Sequence, residues 1–176
     1  MDEKFEYTLF TERKLLRLRD YNYSSPGAYF ITICTHDKNF LFGKIENGIM
    51  YINPFGKIVK SCWNDLTTHY AGISNDIFTV MTNHIHGIIM VHDENRRAGS
   101  KPAPTKKHHL SEIVRAFKTY SSKGINRIRK SPGVGVWQCS FYEHVIRDDK
   151  EYLEIGEYIF HNPAKWESDG ENPKFR

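Results

Sequence analysis

Hydrophobic and polar residues follow one another along the first third of the chain in a pattern that predicts β-strands. Residues 27–35 read Gly-Ala-Tyr-Phe-Ile-Thr-Ile-Cys-Thr and are apolar at both alternating sets of positions, which is typical of a central strand. Residues 40–45 and 49–52 are shorter apolar runs on either side of Asn47-Gly48. Because this dipeptide readily adopts the positive φ angles of a two-residue turn, the pattern predicts a β-hairpin.

The middle and late parts of the chain predict three more strands. Residues 78–80 and 84–91 are apolar runs separated by Met-Thr-Asn, which favours two antiparallel strands joined by a tight turn. The preceding residues 72–76 read Gly-Ile-Ser-Asn-Asp and predict a turn. Residues 136–147 predict a further strand with an irregular start.

Two segments carry apolar residues at helical spacing after a capping residue. Asn53 precedes Pro54, which predicts a helix that begins here and ends near His69. Ser111 is the predicted cap of a second helix. The residues that we expect to be buried along one face of this second helix are Ile113, Val114, Phe117, Tyr120, Ile125 and Ile128.

A last helix completes the predicted elements. Asp148 or Asp149 is its predicted cap, and it should stop at Asn162 because helical backbone is disfavoured before Pro163. Strands and helices alternate, yet the hairpin and the tight turns favour antiparallel pairing. We therefore predict an α+β fold, a ferredoxin-like or RRM-like sandwich with a central antiparallel sheet of about five strands and helices packed mainly on one face.

Length and charge suggest how the chain is organised around this domain. The 176 residues fit one domain, which we assign to residues 27–166, with a basic arm at residues 1–26 and a polar tail at residues 167–176. Residues 93–130 contain 11 Lys or Arg and 3 Asp or Glu, which indicates a basic surface suited to a polyanion. Within that stretch, residues 93–109 are rich in Lys, Arg, Gly and Pro and predict a flexible basic linker.

Cysteine usage and hydropathy bear on the compartment. The three cysteines form no Cys-x-x-Cys pair, so neither a disulfide framework nor a thiolate zinc site is favoured, which fits a reducing cytoplasm. The first residues lack the apolar segment of a signal peptide, and no apolar run approaches the roughly 20 residues of a membrane helix. We expect a cytoplasmic protein.

Two histidines in the strand at residues 84–91 are candidate metal ligands. Because side chains alternate along a strand, His84 and His86 point the same way, about 7 Å apart, whereas Ile85 points to the opposite face. This distance suits the binding of one ion between the two rings. A His-x-His pair without a third ligand is equally consistent with two histidines on a half-exposed strand.

The last predicted helix carries a tyrosine and an amide one turn apart. Tyr158 and Asn162 lie at positions i and i+4 and share one face. If the helix lies across the sheet, Asn162 can offer an oxygen to an ion that the histidines hold, and the Tyr158 hydroxyl then lies near whatever that ion binds. Such a site suits attack on a phosphodiester, although the spacing by itself is more typical of packing and capping residues.

Four separated blocks of the sequence resemble one protein family. Residues 81–89 read Met-Thr-Asn-His-Ile-His-Gly-Ile-Ile, residues 110–118 read Leu-Ser-Glu-Ile-Val-Arg-Ala-Phe-Lys, residues 137–148 read Trp-Gln-Cys-Ser-Phe-Tyr-Glu-His-Val-Ile-Arg-Asp, and residues 157–166 read Glu-Tyr-Ile-Phe-His-Asn-Pro-Ala-Lys-Trp. In this order they resemble the IS200-like single-tyrosine (Y1, HUH-type) transposases, most closely the REP-associated tyrosine transposases. Thr82 stands where the family usually has proline.

The resemblance implies a function and a set of site residues. His84 and His86 match the family's metal-binding histidines, Tyr158 matches its nucleophile, and Asn162 matches the amide that completes the metal shell. It implies a Mg²⁺- or Mn²⁺-dependent enzyme that cleaves single-stranded DNA beside hairpins such as REP-like palindromes. Cleavage would leave a 5′-phosphotyrosine link and a free 3′-OH, and the enzyme would work as a monomer or a homodimer.

Basic residues supply candidate DNA contacts. In the second predicted helix and the third block of the resemblance, the candidates are Arg115, Lys118, Lys123, Arg127, His144 and Arg147. For His144 and Arg147, the alternative is a structural hydrogen-bonded pair.

Two other functions remain open at the level of the sequence. One is a non-catalytic single-stranded nucleic-acid-binding module on an RRM-like sheet, although the chain lacks the aromatic RNP1 string of such domains. The other is a zinc hydrolase that uses His84, His86 and a water molecule, although the motif lacks a carboxylate ligand.

Overall fold

The computed structural model describes residues 22–23, 25–92 and 108–175. Most of the predicted basic arm and most of the predicted basic linker lie outside the described residues. Within them, strands and helices alternate in the order β1 (Gly27–Cys34), β2 (Gly43–Glu46), β3 (Ile49–Ile52), α1 (Pro54–Asn64), α2 (Leu66–His69), β4 (Ile73–Val80), β5 (His84–Val91), α3 (Leu110–Ile128), β6 (Tyr142–Ile146) and α4 (Asp149–His161). Short 3₁₀ helices cover His36–Lys38, Pro163–Ser168 and Pro173–Phe175.

The main sheet is antiparallel and has the strand order β4-β5-β1-β6. The predicted α+β fold with a central antiparallel sheet is confirmed, but the main sheet has four strands rather than about five. The hairpin of β2 and β3 forms a separate two-stranded sheet. Its turn at Asn47-Gly48 packs against Ala164, where a Cβ on Gly48 would lie 3.3 Å from the Ala164 Cα.

Strand boundaries differ from the sequence prediction at two places. β4 begins at Ile73, inside the segment predicted as a turn, and its pairing with β5 is irregular between Asn75 and Phe78. This irregularity interrupts the polar–apolar alternation, so the first residues of β4 resemble a turn. The last predicted strand is also shorter than expected, because only Tyr142–Ile146 pair with β1 in β6.

Alternation along β1 and β5 gives the main sheet two buried faces. One face carries the larger core, which includes Tyr29, Ile31, Ile33, Ile85 and Ile89 together with residues of α1, α2 and α3. The opposite face carries Ala28, Phe30, Ile88 and Ile146, which pack against Ile155 and Ile159 of α4. Helices α1, α2 and α3 therefore lie on one face, and α4 packs on the face to which the even-numbered residues of β5 point.

The helix caps follow the sequence at two of three helices. The Asn53 side chain accepts hydrogen bonds from the backbone N–H groups of Phe55 and Gly56, and Asp148 accepts one from Glu151. The first predicted helix is divided into α1 and α2. The prediction of a Ser111 cap is wrong, because α3 begins two residues earlier than such a cap implies and has His109 at its N-cap position without a side-chain hydrogen bond.

The buried stripe of α3 also differs from the prediction. Tyr120 and Ile128 were expected in the core but are 61% and 52% exposed. The stripe passes instead through Ser121, which is fully buried. Its hydroxyl donates to the Phe117 carbonyl and accepts from the indole N–H of Trp137. A polar residue thus occupies the core position that apolar periodicity assigned to its neighbour.

Candidate active site

Strand β5 places two histidine rings on the face that α4 covers. His84 and His86 are 0% and 2% exposed, and their Nε2 atoms lie 3.0 Å apart. The alternation of side chains predicted this shared orientation. His86 is stacked on Phe30 of β1, with ring centroids 5.4 Å apart, so its ring plane is held from the neighbouring strand.

Helix α4 brings the predicted tyrosine to these rings. The Tyr158 hydroxyl lies 3.2 Å from His86 Nε2, within hydrogen-bond distance. The Tyr158 ring also meets Phe30 edge to face at a centroid distance of 6.1 Å. Ile155 and Ile159 anchor the helix on the sheet, which sets the height of Tyr158 above the histidines.

Asn162 follows α4 directly and is 1% exposed. Its Nδ2 donates to an Asp169 carboxylate oxygen at 2.7 Å. Its Oδ1 is buried and has no hydrogen-bond partner within the described part of the chain. A buried amide oxygen without a donor loses free energy unless something else satisfies it, and a cation is one such group.

Asp169 is a component of the site that the sequence reasoning missed. The ligand atoms of His84, His86 and Asp169 all lie within 4.8 Å of one another, and all three residues are buried. Asp169 lies in the predicted polar tail, seven residues after Asn162. No spacing rule marks it, because the 3₁₀ helix Pro163–Ser168 separates it from α4.

A further set of contacts holds the tail against the sheet. Glu171 pairs with the Lys38 ammonium at 2.6 Å and accepts a hydrogen bond from the Cys34 thiol at 3.2 Å. Burial raises the pKa of Glu171, but the hydrogen bond and the charge of Lys38 outweigh it and keep that pKa below its ordinary value. Asn83 also donates to the Glu171 carbonyl at 2.8 Å. Glu171, two residues after Asp169, therefore anchors the loop that carries Asp169.

Burial keeps both imidazoles neutral. It lowers the pKa of His84 to about 3, and the nearby charge of Lys38 adds to this effect. Burial also lowers the pKa of His86 well below its ordinary value, and the proximity of His84 lowers it further. Neutral imidazole is the form that binds metal ions.

The donor set fits a divalent metal ion. Two neutral imidazole nitrogens from β5 and one carboxylate from the tail lie together. The Asn162 amide, which donates to that carboxylate, carries a buried oxygen without a hydrogen-bond partner among the described residues. Such mixed nitrogen and oxygen donors are typical of divalent metal sites. This cluster can therefore hold a metal ion, with His84, His86 and Asp169 as the nearest ligands.

The predicted basic contacts lie in two other places. Arg115, Lys118 and Lys123 line a groove of about 650 Å³ between α3 and residues 133–141. The Lys118 ammonium donates to the backbone carbonyls of residues 138, 139 and 140 at 2.9, 3.2 and 2.8 Å, so it holds this loop to α3. Burial lowers the pKa of Lys118 to about 8. Arg127 lies further along α3.

His144 lies within β6, where it is paired with Phe30 of β1, and Arg147 lies between β6 and α4. A Glu151 oxygen lies 2.6 Å from His144 Nε2, and the other accepts a hydrogen bond from the Arg147 backbone N–H. The structure therefore contains the structural hydrogen bond that was the alternative to a DNA contact at His144.

Comparisons with known proteins give two sequence relatives. No protein-family model matches the chain. A Haemophilus influenzae protein described as uncharacterized is 40% identical over 166 residues, covering 89% of this chain and 91% of that protein. A putative REP-associated tyrosine transposase of the same species is 27% identical over 146 residues, covering 82% of this chain and 74% of that protein.

A solved structure shares the fold. The structure of a REP-associated tyrosine transposase bound to a REP hairpin aligns with a TM-score of 0.57 and 19% identity, over 85% of this chain and 73% of that one. The chain is thus similar in sequence to a putative REP-associated tyrosine transposase and shares its fold with a solved structure of one. These findings confirm the resemblance seen in the four sequence blocks.

Among the described residues, no helix combines the length and the apolar composition that a membrane span requires.

Proposed function

We propose that this protein is a metal-dependent single-stranded DNA endonuclease and strand transferase that cleaves next to DNA hairpins. The observation that carries the proposal is the position of the Tyr158 hydroxyl, 3.2 Å from His86 Nε2 at the edge of the His84, His86 and Asp169 cluster. A nucleophile next to a group that can hold a cation is the arrangement that transfer of a phosphodiester requires.

Tyr158 is the proposed nucleophile. Its oxygen forms a bond to the phosphorus of the scissile phosphodiester as the phenol loses its proton. The bond from phosphorus to the 3′ oxygen breaks, and that oxygen takes up a proton to become a free 3′-OH. The product is a 5′-phosphotyrosine, which a 3′-OH from another DNA end can attack to complete strand transfer.

His84, His86 and Asn162 are the proposed metal ligands, together with Asp169. The expected ion is Mg²⁺ or Mn²⁺, because both are hard cations that the amide and carboxylate oxygens suit. When bound, such an ion polarises the phosphoryl oxygen and stabilises the charge that develops in the transition state. The buried rings and the tail keep the four ligands in place before DNA binds.

The basic groove of α3 is the proposed contact for the DNA backbone. Arg115 and Lys123 line it, and Arg127 extends the positive charge along the same helix. The structural neighbour is described as bound to a REP hairpin, which supports a hairpin as the DNA partner. Contacts of this type provide affinity that falls with salt and that does not depend on sequence. Lys118, His144 and Arg147 remain predicted contacts.

The test is a covalent adduct. We expect the protein, incubated with Mn²⁺ and labelled hairpin-bearing single-stranded DNA, to form an adduct that survives denaturation. The Tyr158→Phe variant should lose this adduct by at least about a hundredfold, because the attacking oxygen is gone. Tyr152→Phe is the matched control, since Tyr152 lies on the same helix and donates its hydroxyl to Asp76 instead. An adduct that persists in Tyr158→Phe would contradict the assignment of the nucleophile.

One observation favours a second candidate. Asp169 supplies the carboxylate that the histidine motif lacks, so a zinc hydrolase that activates water is also consistent with the cluster. Such an enzyme would cleave DNA without an adduct, and Tyr158→Phe would retain that cleavage. Binding of the hairpin without cleavage or adduct under any metal would instead indicate a non-catalytic binding module.

A further inference from the structure

The orientation of one buried amide can be read from its partners. Asn83 is 0% exposed and lies in the turn between β4 and β5. Its Nδ2 donates to the carbonyls of Glu171 and Lys38 at 2.8 and 3.3 Å. Rotating the amide by 180° would place its oxygen against two carbonyl oxygens, which cannot donate. Its Oδ1 must therefore face His84 Nδ1, 2.8 Å away.

This orientation selects one tautomer of His84. An amide oxygen only accepts hydrogen bonds, so His84 Nδ1 must carry the proton that it donates to Asn83. The neutral ring has one N–H, which leaves His84 Nε2 with a free lone pair. That nitrogen belongs to the cluster with His86 and Asp169.

The second imidazole has a different kind of partner. The Thr32 hydroxyl lies 2.7 Å from His86 Nδ1, and Thr32 is paired with His86 across β1 and β5. A hydroxyl can donate or accept, so it accommodates either tautomer of His86. The two Nε2 atoms lie 3.0 Å apart, a separation at which both can bind the same ion. For His86 to bind through Nε2, its proton must be on Nδ1, where the Thr32 hydroxyl can accept it.

We propose that Asn83 and Thr32 are positioning residues that set the tautomers of the metal-binding histidines. Asn83 holds His84 permanently with its Nε2 lone pair towards the cluster. Thr32 accepts a hydrogen bond from the Nδ1–H of His86, so the Nε2 lone pair of this neutral ring also faces the cation. The inference rests on the metal site of the proposed function but not on the DNA chemistry.

Nitrogen-15 NMR of the histidine side chains tests the tautomers directly. In the metal-free protein we expect His84 as the Nδ1–H form, because the Asn83 oxygen accepts that proton. With diamagnetic Zn²⁺ or Mg²⁺ bound, both His84 and His86 should be in the Nδ1–H form. A metal-free His84 in the Nε2–H form, or a His86 that keeps its Nε2–H with metal bound, would overturn the proposal.

Metal affinity in the absence of DNA is the second readout. Calorimetric titration with Mn²⁺ should give about 10- to 100-fold weaker binding for Asn83→Leu and about tenfold weaker binding for Thr32→Val. Asn39→Leu is the control for Asn83, because the exposed Asn39 amide donates to the His36 carbonyl in the adjacent turn. Thr79→Val is the control for Thr32, because Thr79 is paired with His86 from the other neighbouring strand.

The outcomes separate this inference from the proposed function. Thr32→Val changes one atom on a central strand, so it remains informative if Asn83→Leu does not fold. Unchanged Mn²⁺ affinity in Thr32→Val, or a native protein that binds no divalent metal, would contradict the positioning role. The predicted tautomers and affinities in a protein that forms no DNA adduct would support the inference and contradict the strand-transfer chemistry.

Discussion

At the residue scale, the candidate metal site depends on a carboxylate that comes from beyond α4. Asp169 accepts hydrogen bonds from Asn162 Nδ2 and from the Glu171 backbone N–H, at 2.7 and 2.6 Å. These two donors orient the carboxylate towards His84 and His86. The tail thereby contributes both a candidate ligand and the contacts that hold it.

Replacement of Asp169 tests this role. Asp169→Asn retains an oxygen but removes the negative charge, so we expect Mn²⁺ binding to weaken by about tenfold or more. Calorimetric titration without DNA measures the change. Glu167→Gln is the control, because Glu167 is an exposed acid in the 3₁₀ helix Pro163–Ser168, which directly precedes Asp169. Equal affinity in Asp169→Asn and the native protein would show that the histidines and Asn162 bind the ion without this carboxylate.

The residues of the site differ in how far they could be predicted from the sequence. Strand alternation placed His84 and His86 on one face, and helical spacing with the family resemblance placed Tyr158 and Asn162 on another element. Asp169 could not be predicted, because its position depends on the path of the chain through the 3₁₀ segment after α4, and no periodic pattern encodes that path.

At the element scale, one close approach between α1 and β5 sets the packing behind the histidines. Trp63 of α1 lies directly over Gly87, where a Cβ would be only 2.5 Å from the indole ring. The same ring stacks on Phe78 of β4 with centroids 4.5 Å apart. Gly87 immediately follows His86, so this contact fixes the strand from the face opposite the metal site.

Gly87→Ala should therefore destabilise the protein. The added methyl group must displace a fully buried indole, and overpacking of this kind costs about 1–3 kcal/mol. Urea unfolding followed by circular dichroism measures the loss. Gly170→Ala is the control, because a Cβ at Gly170 meets nothing within 4 Å. If Gly87→Ala and Gly170→Ala have the same stability, the indole ring moves aside freely and does not constrain β5.

Elements with local signals were predicted well, and those that depend on distant partners were not. The caps at Asn53 and Asp148 are set by a side chain and its own first turn, so sequence alone identifies them. The start of β4 and the separation of the hairpin from the main sheet depend on pairing partners elsewhere in the chain. The exposed Tyr120 and the buried Ser121 depend on where Trp137 docks on α3.

At the scale of the whole molecule, burial of two neutral histidines makes the free energy of unfolding depend on proton binding. In the unfolded chain a histidine has a pKa near 6.5. In the folded protein burial lowers the pKa of His84 to about 3 and that of His86 well below its ordinary value. Below about pH 6.5 the unfolded state therefore binds more protons than the folded state. Stability must rise with pH in this range, and the contribution is fully present only above the unfolded pKa.

The metal-free protein should consequently lose stability on mild acidification. Between pH 7 and pH 5, each histidine that stays neutral in the folded state lowers the free energy of unfolding by about 2 kcal/mol, so the pair lowers it by about 4 kcal/mol. Urea unfolding in the presence of a chelator, at half-unit pH steps, measures this slope. The double variant His84→Gln, His86→Gln should flatten it, whereas replacement of the exposed His69 by Gln is the control. A native protein whose stability is constant from pH 7 to pH 5 would mean that the imidazoles take up protons in the folded state. In that case they would not be held as neutral ligands ready for a metal ion.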